Sequence, residues 1–227
     1  MTFAQHVIQF NTSLNLTTAL PSGIAVMNPF AENSHALAVS SAFYQKYYND
    51  TQPRKLILGI NPGRHGAGVT GIPFTDTKRL TKFCDLSIPA ISTHEISSVF
   101  IYEVIQQYGG VSKFYQDYYI NSISPLGFVI KDQKGREKNY NYYDSKDLQK
   151  TLKTFIIKSI KAQLAFGIDT ENCYCLGTGK NYAYLSALND EMGFFKNIIP
   201  LEHPRYIMQY KSKQRPFYID KYLEVLN

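Results

Sequence analysis

Lys55-Leu56-Ile57-Leu58-Gly59-Ile60-Asn61-Pro62-Gly63-Arg64-His65-Gly66-Ala67-Gly68-Val69-Thr70-Gly71-Ile72-Pro73-Phe74 is the stretch on which the reading of this chain turns. Lys55 to Ile60 is a short apolar run of the kind that forms a buried strand. It ends on an uncharged amide, Asn61, and opens into a loop rich in glycine and proline that closes on an aromatic ring, Phe74. In an open α/β sheet, ligands bind outside the carboxyl ends of the strands, so this loop is the first place to look for chemistry.

Two familiar phosphate-binding patterns come close and fail. Gly63-x-x-x-x-Gly68-Val69-Thr70 has the spacing of a P-loop, but Val69 stands where a lysine must reach the β- and γ-phosphates. Gly66-Ala67-Gly68-Val69-Thr70-Gly71 matches the dinucleotide fingerprint, which joins a strand directly to a helix whose N-terminus faces pyrophosphate. Here Asn61-Pro62-Gly63 intervenes before it, and Ile72-Pro73 follows where the helix should run. A proline there removes a donor and breaks the helix.

Outward from this loop, strand and helix patterns alternate. Thr2 to Leu14 and Ser34 to Tyr48 read as helices, the second capped by Asn33 or Ser34. Asp76 caps a helix running to about Asp85, and Glu95 to Tyr108 is an amphipathic helix ended by Gly109-Gly110. Phe114 to Ile123 reads as a strand running into Asn121, and Phe128 to Tyr143 as an irregular or hairpin insertion. Lys146 to Phe166 is the longest helical pattern, capped by Asp144 or Ser145. Asn172 to Leu176 is a strand, Gly177-Thr178-Gly179 opens a helix over Lys180 to Met192, Asn197 to Leu201 is the last strand, and Pro216 to Leu226 is the closing helix. The alternation predicts an α/β fold, a three-layer αβα sandwich with a central, mostly parallel sheet, in one domain over residues 1–227.

Composition narrows the function. At 227 residues and 44% hydrophobic, the chain is long and apolar enough for a sizeable core. A formal net charge of +6 favours a polyanionic partner, and 18 tyrosines suit stacking on unpaired bases where they are not half-buried in packing. The three cysteines, Cys84, Cys173 and Cys175, form no disulfide framework and no metal-ligand spacing, and cannot supply the four ligands of an iron–sulfur cluster. No metal and no cofactor is expected. No apolar run nears the roughly 20 residues that span a bilayer, and a cytoplasmic location is expected.

Gly59-Ile60-Asn61-Pro62-Gly63 followed by Thr70-Gly71-Ile72-Pro73-Phe74 resembles the first motif of the uracil-DNA glycosylase superfamily, in particular its single-strand-selective monofunctional (SMUG-like) branch. Asn121-Ser122-Ile123-Ser124-Pro125-Leu126 resembles that branch's base-reading strand, and His203-Pro204-Arg205 its second catalytic motif. The resemblance implies a monofunctional DNA repair glycosylase, acting in base excision repair on uracil and C5-substituted uracil in single-stranded, mismatched or duplex DNA. Two alternatives are a glycosylase of the same fold acting mainly on hypoxanthine or xanthine, and a non-catalytic nucleic-acid-binding module.

The residues suit the chemistry. Asn61 can orient a water but cannot take its proton, so catalysis would lean on positioning; otherwise it is a turn residue before Pro62. His203 can aim a donor at uracil O2, where charge develops. The remaining histidines lack such support. Asn121 can pair with uracil O4 and N3–H through its amide, a pattern that cytosine reverses. Phe74 can stack on the flipped base or pack in the core, and Ile60, next to Asn61 in the first motif, is a further candidate substrate contact. Gly63 leaves room at C5, where the resemblance places a bulky tyrosine in the thymine-excluding branch. Pro62, Lys180, Asn181, Arg205 and Tyr206 are candidate DNA contacts, with a solvated basic face as the plain alternative for the cations. His203-Pro204-Arg205-Tyr206 is shorter than the wedge motif of the SMUG-like branch, so Arg205 or Tyr206 would have to fill the gap that a flipped base leaves.

Overall fold

The computed structural model describes residues 1–226. In chain order the elements are α1 (Phe3–Ser13), β1 (Ile24–Met27), α2 (Pro29–Glu32), α3 (Ser34–Tyr47), β2 (Arg54–Gly59), α4 (Ala67–Thr70), α5 (Thr77–Cys84), α6 (Ile96–Tyr108) and α7 (Val111–Asp117). There follow β3 (Tyr118–Ser122), β4 (Gly127–Lys131), β5 (Glu137–Tyr140), α8 (Lys146–Leu164), β6 (Ile168–Leu176), α9 (Lys180–Met192), β7 (Asn197–Leu201), α10 (Pro204–Tyr210) and α11 (Arg215–Leu226). Local sequence sets many of the boundaries. Thr2 and Gln5 form a reciprocal capping box on α1, Asn33 caps α3, Asp76 caps α5 and Ser145 caps α8.

The central sheet has the order β3-β2-β6-β7, and every pairing in it is parallel. Such a sheet is buried on both faces. Alternation divides its side chains. Tyr119, Leu56, Leu58, Cys173 and Cys175 share one face by register. The Tyr119 ring meets Phe3 of α1, Tyr44 of α3 and Phe166 just after α8, and Asn181 of α9 touches Cys175 on that side. Tyr118, Ile57, Ile120 and Tyr174 share the other face. There Tyr118 stacks on Phe114 of α7, and Phe100 of α6 packs edge-on against Tyr222 of α11. Helices thus cover both faces, giving the three-layer α/β sandwich that the alternation predicts. Among the described residues no helix is long and apolar enough to cross a membrane.

Three differences from the sequence expectation stand out. A second, antiparallel sheet of order β1-β4-β5 lies beside the first. Its hairpin is the expected insertion, but β1 pairs with it through only four residues and carries no strand-length pattern. The expected strand from Phe114 is a helix, α7, up to Asp117, because Phe114 and Tyr115 bury themselves on one turn against Tyr118 and Phe43. The chain after His203 also forms a helix, α10, with Pro204 at its first position, where a missing N–H costs nothing.

Candidate active site

Because the four central strands are parallel, Gly59, Ser122, Leu176 and Leu201 end them on one edge, and the loops that follow gather there. These loops and the turn after β5 surround a cavity of about 390 Å³ whose wall includes Asn61, Gly63, Phe74, Ser122, Glu95 and His203. A second hollow of about 400 Å³ adjoins it, shares Ile60, His203 and Tyr206, and runs over Gly177-Thr178-Gly179 to Lys180.

Asn61 stands two residues beyond β2, where Ile123 N–H donates to Gly59 O (3.0 Å) and Ser124 N–H to Ile60 O (3.1 Å). Its orientation is set by the second sheet. Tyr142 N–H donates to Asn61 Oδ1 at 3.1 Å, while Asn61 Nδ2 donates to Pro62 O (3.3 Å) and Tyr140 O (3.4 Å). The amide oxygen keeps one acceptor position for a water. The insertion is therefore what holds the candidate water-positioning group.

Phe74 closes the loop with φ 52°, a left-handed conformation uncommon for a bulky residue and costing of order 1–3 kcal/mol. The loop is held around Thr70, whose buried hydroxyl donates to Thr75 O at 2.6 Å and accepts from Ile72 N–H at 3.2 Å. The ring lies on Gly59: a Cβ there would sit 2.9 and 3.0 Å from Phe74 Cε2 and Cζ, and 3.5 Å from Ser122 Oγ. The ring centroid is 5.8 Å from that of His203.

His203 caps α10. Its Nδ1 accepts from Arg205 N–H at 3.1 Å, so in the neutral ring the proton belongs to Nε2. Burial, and then the nearby Arg205 charge, push its pKa down to about 4. At neutral pH the ring is thus an uncharged donor beside the cavity.

Asn121 is placed differently from the expectation. It shares a sheet face with Tyr119, away from Phe74, and lines a small separate crevice behind Pro62, Ala67 and Pro73. Its Nδ2 donates to Tyr119 Oη and its Oδ1 accepts from Ser122 N–H, both at 2.8 Å, so both ends of the amide are engaged away from the main cavity. Ser122, one residue on, faces the cavity instead. Successive residues of a strand point to opposite faces, and Tyr118 to Ser122 is buried throughout, so no polar alternation marks the face that meets the cavity.

The candidate DNA contacts also divide. Arg205 and Tyr206 are exposed on the cavity rim, and Arg205 makes no ion pair among the described residues. Lys180 is exposed, with its ammonium 5.9 Å from the Tyr143 ring centroid. Asn181 is 2% exposed and structural: it donates to Leu176 O (3.0 Å) and Gly59 O (3.4 Å) and accepts from Tyr142 Oη (2.9 Å), which leaves nothing for a phosphate. Pro62 is buried in the wall between cavity and crevice.

Glu95, the residue before α6 and absent from the sequence candidates, lines the cavity beside Gly63 and Gly66. Its Oε2 is buried without a hydrogen-bond partner. Burial, and then the Asp76 carboxylate, raise its pKa to about 7 against the pull of Arg205 and Arg79. Asp76 itself is fully buried; burial alone would raise it, but hydrogen bonds from the Arg79 side chain and backbone, Glu95 N–H and Ser98 hold it below the usual range.

A protein-family model described as "Uracil DNA glycosylase superfamily" matches residues 45–227. A solved structure, wild-type SMUG2 of Pedobacter heparinus, superposes with a TM-score of 0.97 at 55% identity, over 99% of this chain and 97% of that one. Among curated proteins no sequence match is found. The chain belongs to the uracil DNA glycosylase superfamily, in its SMUG-like branch, and is a monofunctional uracil-DNA glycosylase of base excision repair.

Proposed function

We propose that the cavity at the carboxyl edge of the parallel sheet takes a uracil flipped out of DNA, and that Asn61, His203, Ser122 and Phe74 carry the hydrolysis. The observation that carries this is their convergence: two loops and one strand end bring a fixed amide and an aromatic ring, a neutral imidazole and a hydroxyl around one cavity. The uracil ring stacks on Phe74. Asn61 Oδ1 orients a water toward C1′ on the face opposite the base. As the C1′–N1 bond breaks, its electron pair moves onto the base, and His203 Nε2–H stabilises the charge that collects on O2. A neutral donor suits this role, since it needs no protonation at working pH. The water oxygen then bonds to C1′ and its proton passes to the departed uracil anion or to solvent; Asn61 cannot take it, so the rate rests on position and electrostatics.

Ser122 reads the N3–O4 edge. A hydroxyl rotates and both donates and accepts, whereas an amide offers a fixed pair. This observation favours a second activity, on other deaminated bases such as hypoxanthine or xanthine. Arg205, Lys180 and the exposed Tyr206 hold the flanking backbone and bases, which adds salt dependence without sequence preference. Unpaired or mismatched DNA costs less to flip and is the preferred partner. The enzyme works in the cytoplasm with the DNA it repairs.

The test is base release from a single-stranded oligonucleotide carrying one uracil, read by alkaline cleavage, beside Asn61→Ala. Release that vanishes in the variant while DNA binding persists supports the reading. Equal loss of both overturns the role of Asn61, and no release by the wild type overturns the uracil reading.

A further inference from the structure

Glu95 has no part in the uracil chemistry above, yet its carboxyl is built into the cavity wall. Its backbone N–H donates to Asp76 Oδ2 at 2.6 Å, and its carbonyl accepts from Ser98 N–H (3.1 Å) and Ser98 Oγ–H (2.7 Å), which anchors the stem of the side chain. The carboxyl lies against the loop after β2: a Cβ on Gly66 would fall 2.6 Å from Glu95 Cδ, and one on Gly63 would fall 3.2 Å from Glu95 Oε1. Oε2 is buried and receives no hydrogen bond. An ionised carboxylate is costly in such a place, and a neutral acid much less so. The Asp76 carboxylate works in the same direction. Arg79, Glu95 N–H and Ser98 keep Asp76 ionised, so a second negative charge beside it is disfavoured. Arg79 on α5 and Arg205 on α10 pull the other way, while His94 beside Arg79 and His65 between the two glycines are exposed. The balance leaves Glu95 holding its proton up to about pH 7.

The cavity of about 390 Å³ has room for a purine, the second substrate class that the Ser122 hydroxyl favours. A purine seated as the uracil is puts N9 in the place of N1, and its C8–N7 edge in the place of the C6–C5 edge. That edge meets the wall that holds Gly63 and Glu95. We propose that Glu95 is the general acid for purine substrates, giving its proton to N7 of a flipped hypoxanthine or xanthine as the C1′–N9 bond breaks. This rests on the reading of the cavity given above. The electron pair of the broken bond enters the imidazole ring, and the base leaves neutral. A water adds to C1′ and gives its proton to solvent, and the Glu95 carboxylate regains a proton from solvent. Protonation at N7 removes charge that the His203 donor would otherwise have to stabilise alone. Uracil has only carbon on the matching edge, so Glu95 has nothing there to protonate.

The experiment is single-turnover release from three single-stranded oligonucleotides that differ only in one base: uracil, hypoxanthine, or 7-deazahypoxanthine, in which a C–H replaces N7. Wild type and Glu95→Gln are compared across the range around pH 7 in which Glu95 loses its proton. Glutamine keeps the volume and a hydrogen-bond donor but has no proton to transfer. The variant should release hypoxanthine about a hundredfold more slowly than the wild type, the lower end of what general acid catalysis contributes. Its uracil rate should stay within severalfold of the wild type, which also shows that it folds. Hypoxanthine release by the wild type should fall as pH rises through about 7, where the donor proton is lost, and uracil release should not share that fall. On 7-deazahypoxanthine the two proteins should be equally slow. A hypoxanthine rate that ignores pH, an equal loss on uracil and hypoxanthine in Glu95→Gln, or 7-deazahypoxanthine released as fast as hypoxanthine would overturn the proposal. A wild type that releases uracil but no hypoxanthine would overturn it too and leave the uracil reading standing, and one that releases neither would remove both.

Discussion

Gly59→Ala puts a single methyl group under the ring that forms the floor of the site. Gly59 belongs to the regular strand β2 and its φ is not left-handed, so alanine meets no backbone penalty and the effect comes from the methyl alone. The new carbon would lie 2.9 Å from Phe74 Cε2 and 3.0 Å from Cζ. Carbon atoms rest at about 3.5–4.0 Å, so the ring edge must retreat by roughly 0.5–1 Å. Phe74 is pinned by its own left-handed backbone and by the Thr70 hydrogen bonds around it, so the retreat tips the ring into the cavity and toward His203. Overpacking of this kind costs about 1–3 kcal/mol of stability. A displacement near 1 Å at a reacting site costs about a hundredfold in rate. The assay is single-turnover uracil release with enzyme in excess, measured well below the unfolding midpoint and paired with urea denaturation. The account expects a modest loss of stability and a loss of one to two orders of magnitude in rate. A variant that is destabilised but releases uracil at the wild-type rate would refute the claim that Phe74 stacks on the base.

Ser122→Ala should slow uracil release and blunt selection between deaminated bases, whereas Asn121→Ala should cost about 1–3 kcal/mol in urea unfolding by stranding Tyr119 Oη and Ser122 N–H, with little effect on the rate of the folded protein. Nuclear magnetic resonance titration of the His203 ring should show it essentially neutral from pH 8 to pH 6 and protonating only toward a midpoint near 4. The sign follows from burial, which disfavours the imidazolium, and from the adjacent Arg205 charge; a midpoint at the ordinary value of 6.5 would contradict the neutral-donor role.

The parts of the fold visible in the sequence were those with strong local signals. The helix Lys180–Met192 lies where glycine punctuation and periodicity put it, and Asp76 and Asn33 cap the helices that follow them. The loop from Asn61 to Phe74 drew attention to the correct edge of the sheet, because a strand that ends in glycine, asparagine and proline has little else to do than turn. The sequence points to Asn121 as the amide on the cavity side, whereas Ser122, one position on, is the residue that lines the cavity. Tyr119, Asn121 and Ser122 are all buried, and a strand covered on both sides does not announce which face carries the site. The hold of Tyr142 and Tyr140 on Asn61 spans about eighty residues and depends on the β4–β5 hairpin folding back, which no local pattern encodes. Glu95 was hidden for a related reason: a charged residue before an apolar helix reads as a cap, and only the approach of Gly63 and Gly66 makes it part of the cavity wall.

The most direct measurement is a crystal structure of Asn61→Ala bound to a single-stranded oligonucleotide with one uracil. The account predicts the uracil in the cavity, its ring over Phe74, O2 within hydrogen-bond distance of His203 Nε2, its N3–O4 edge at Ser122 and C5 toward Gly63. A uracil seated in the crevice beside Asn121, or left outside with the cavity empty, would contradict it.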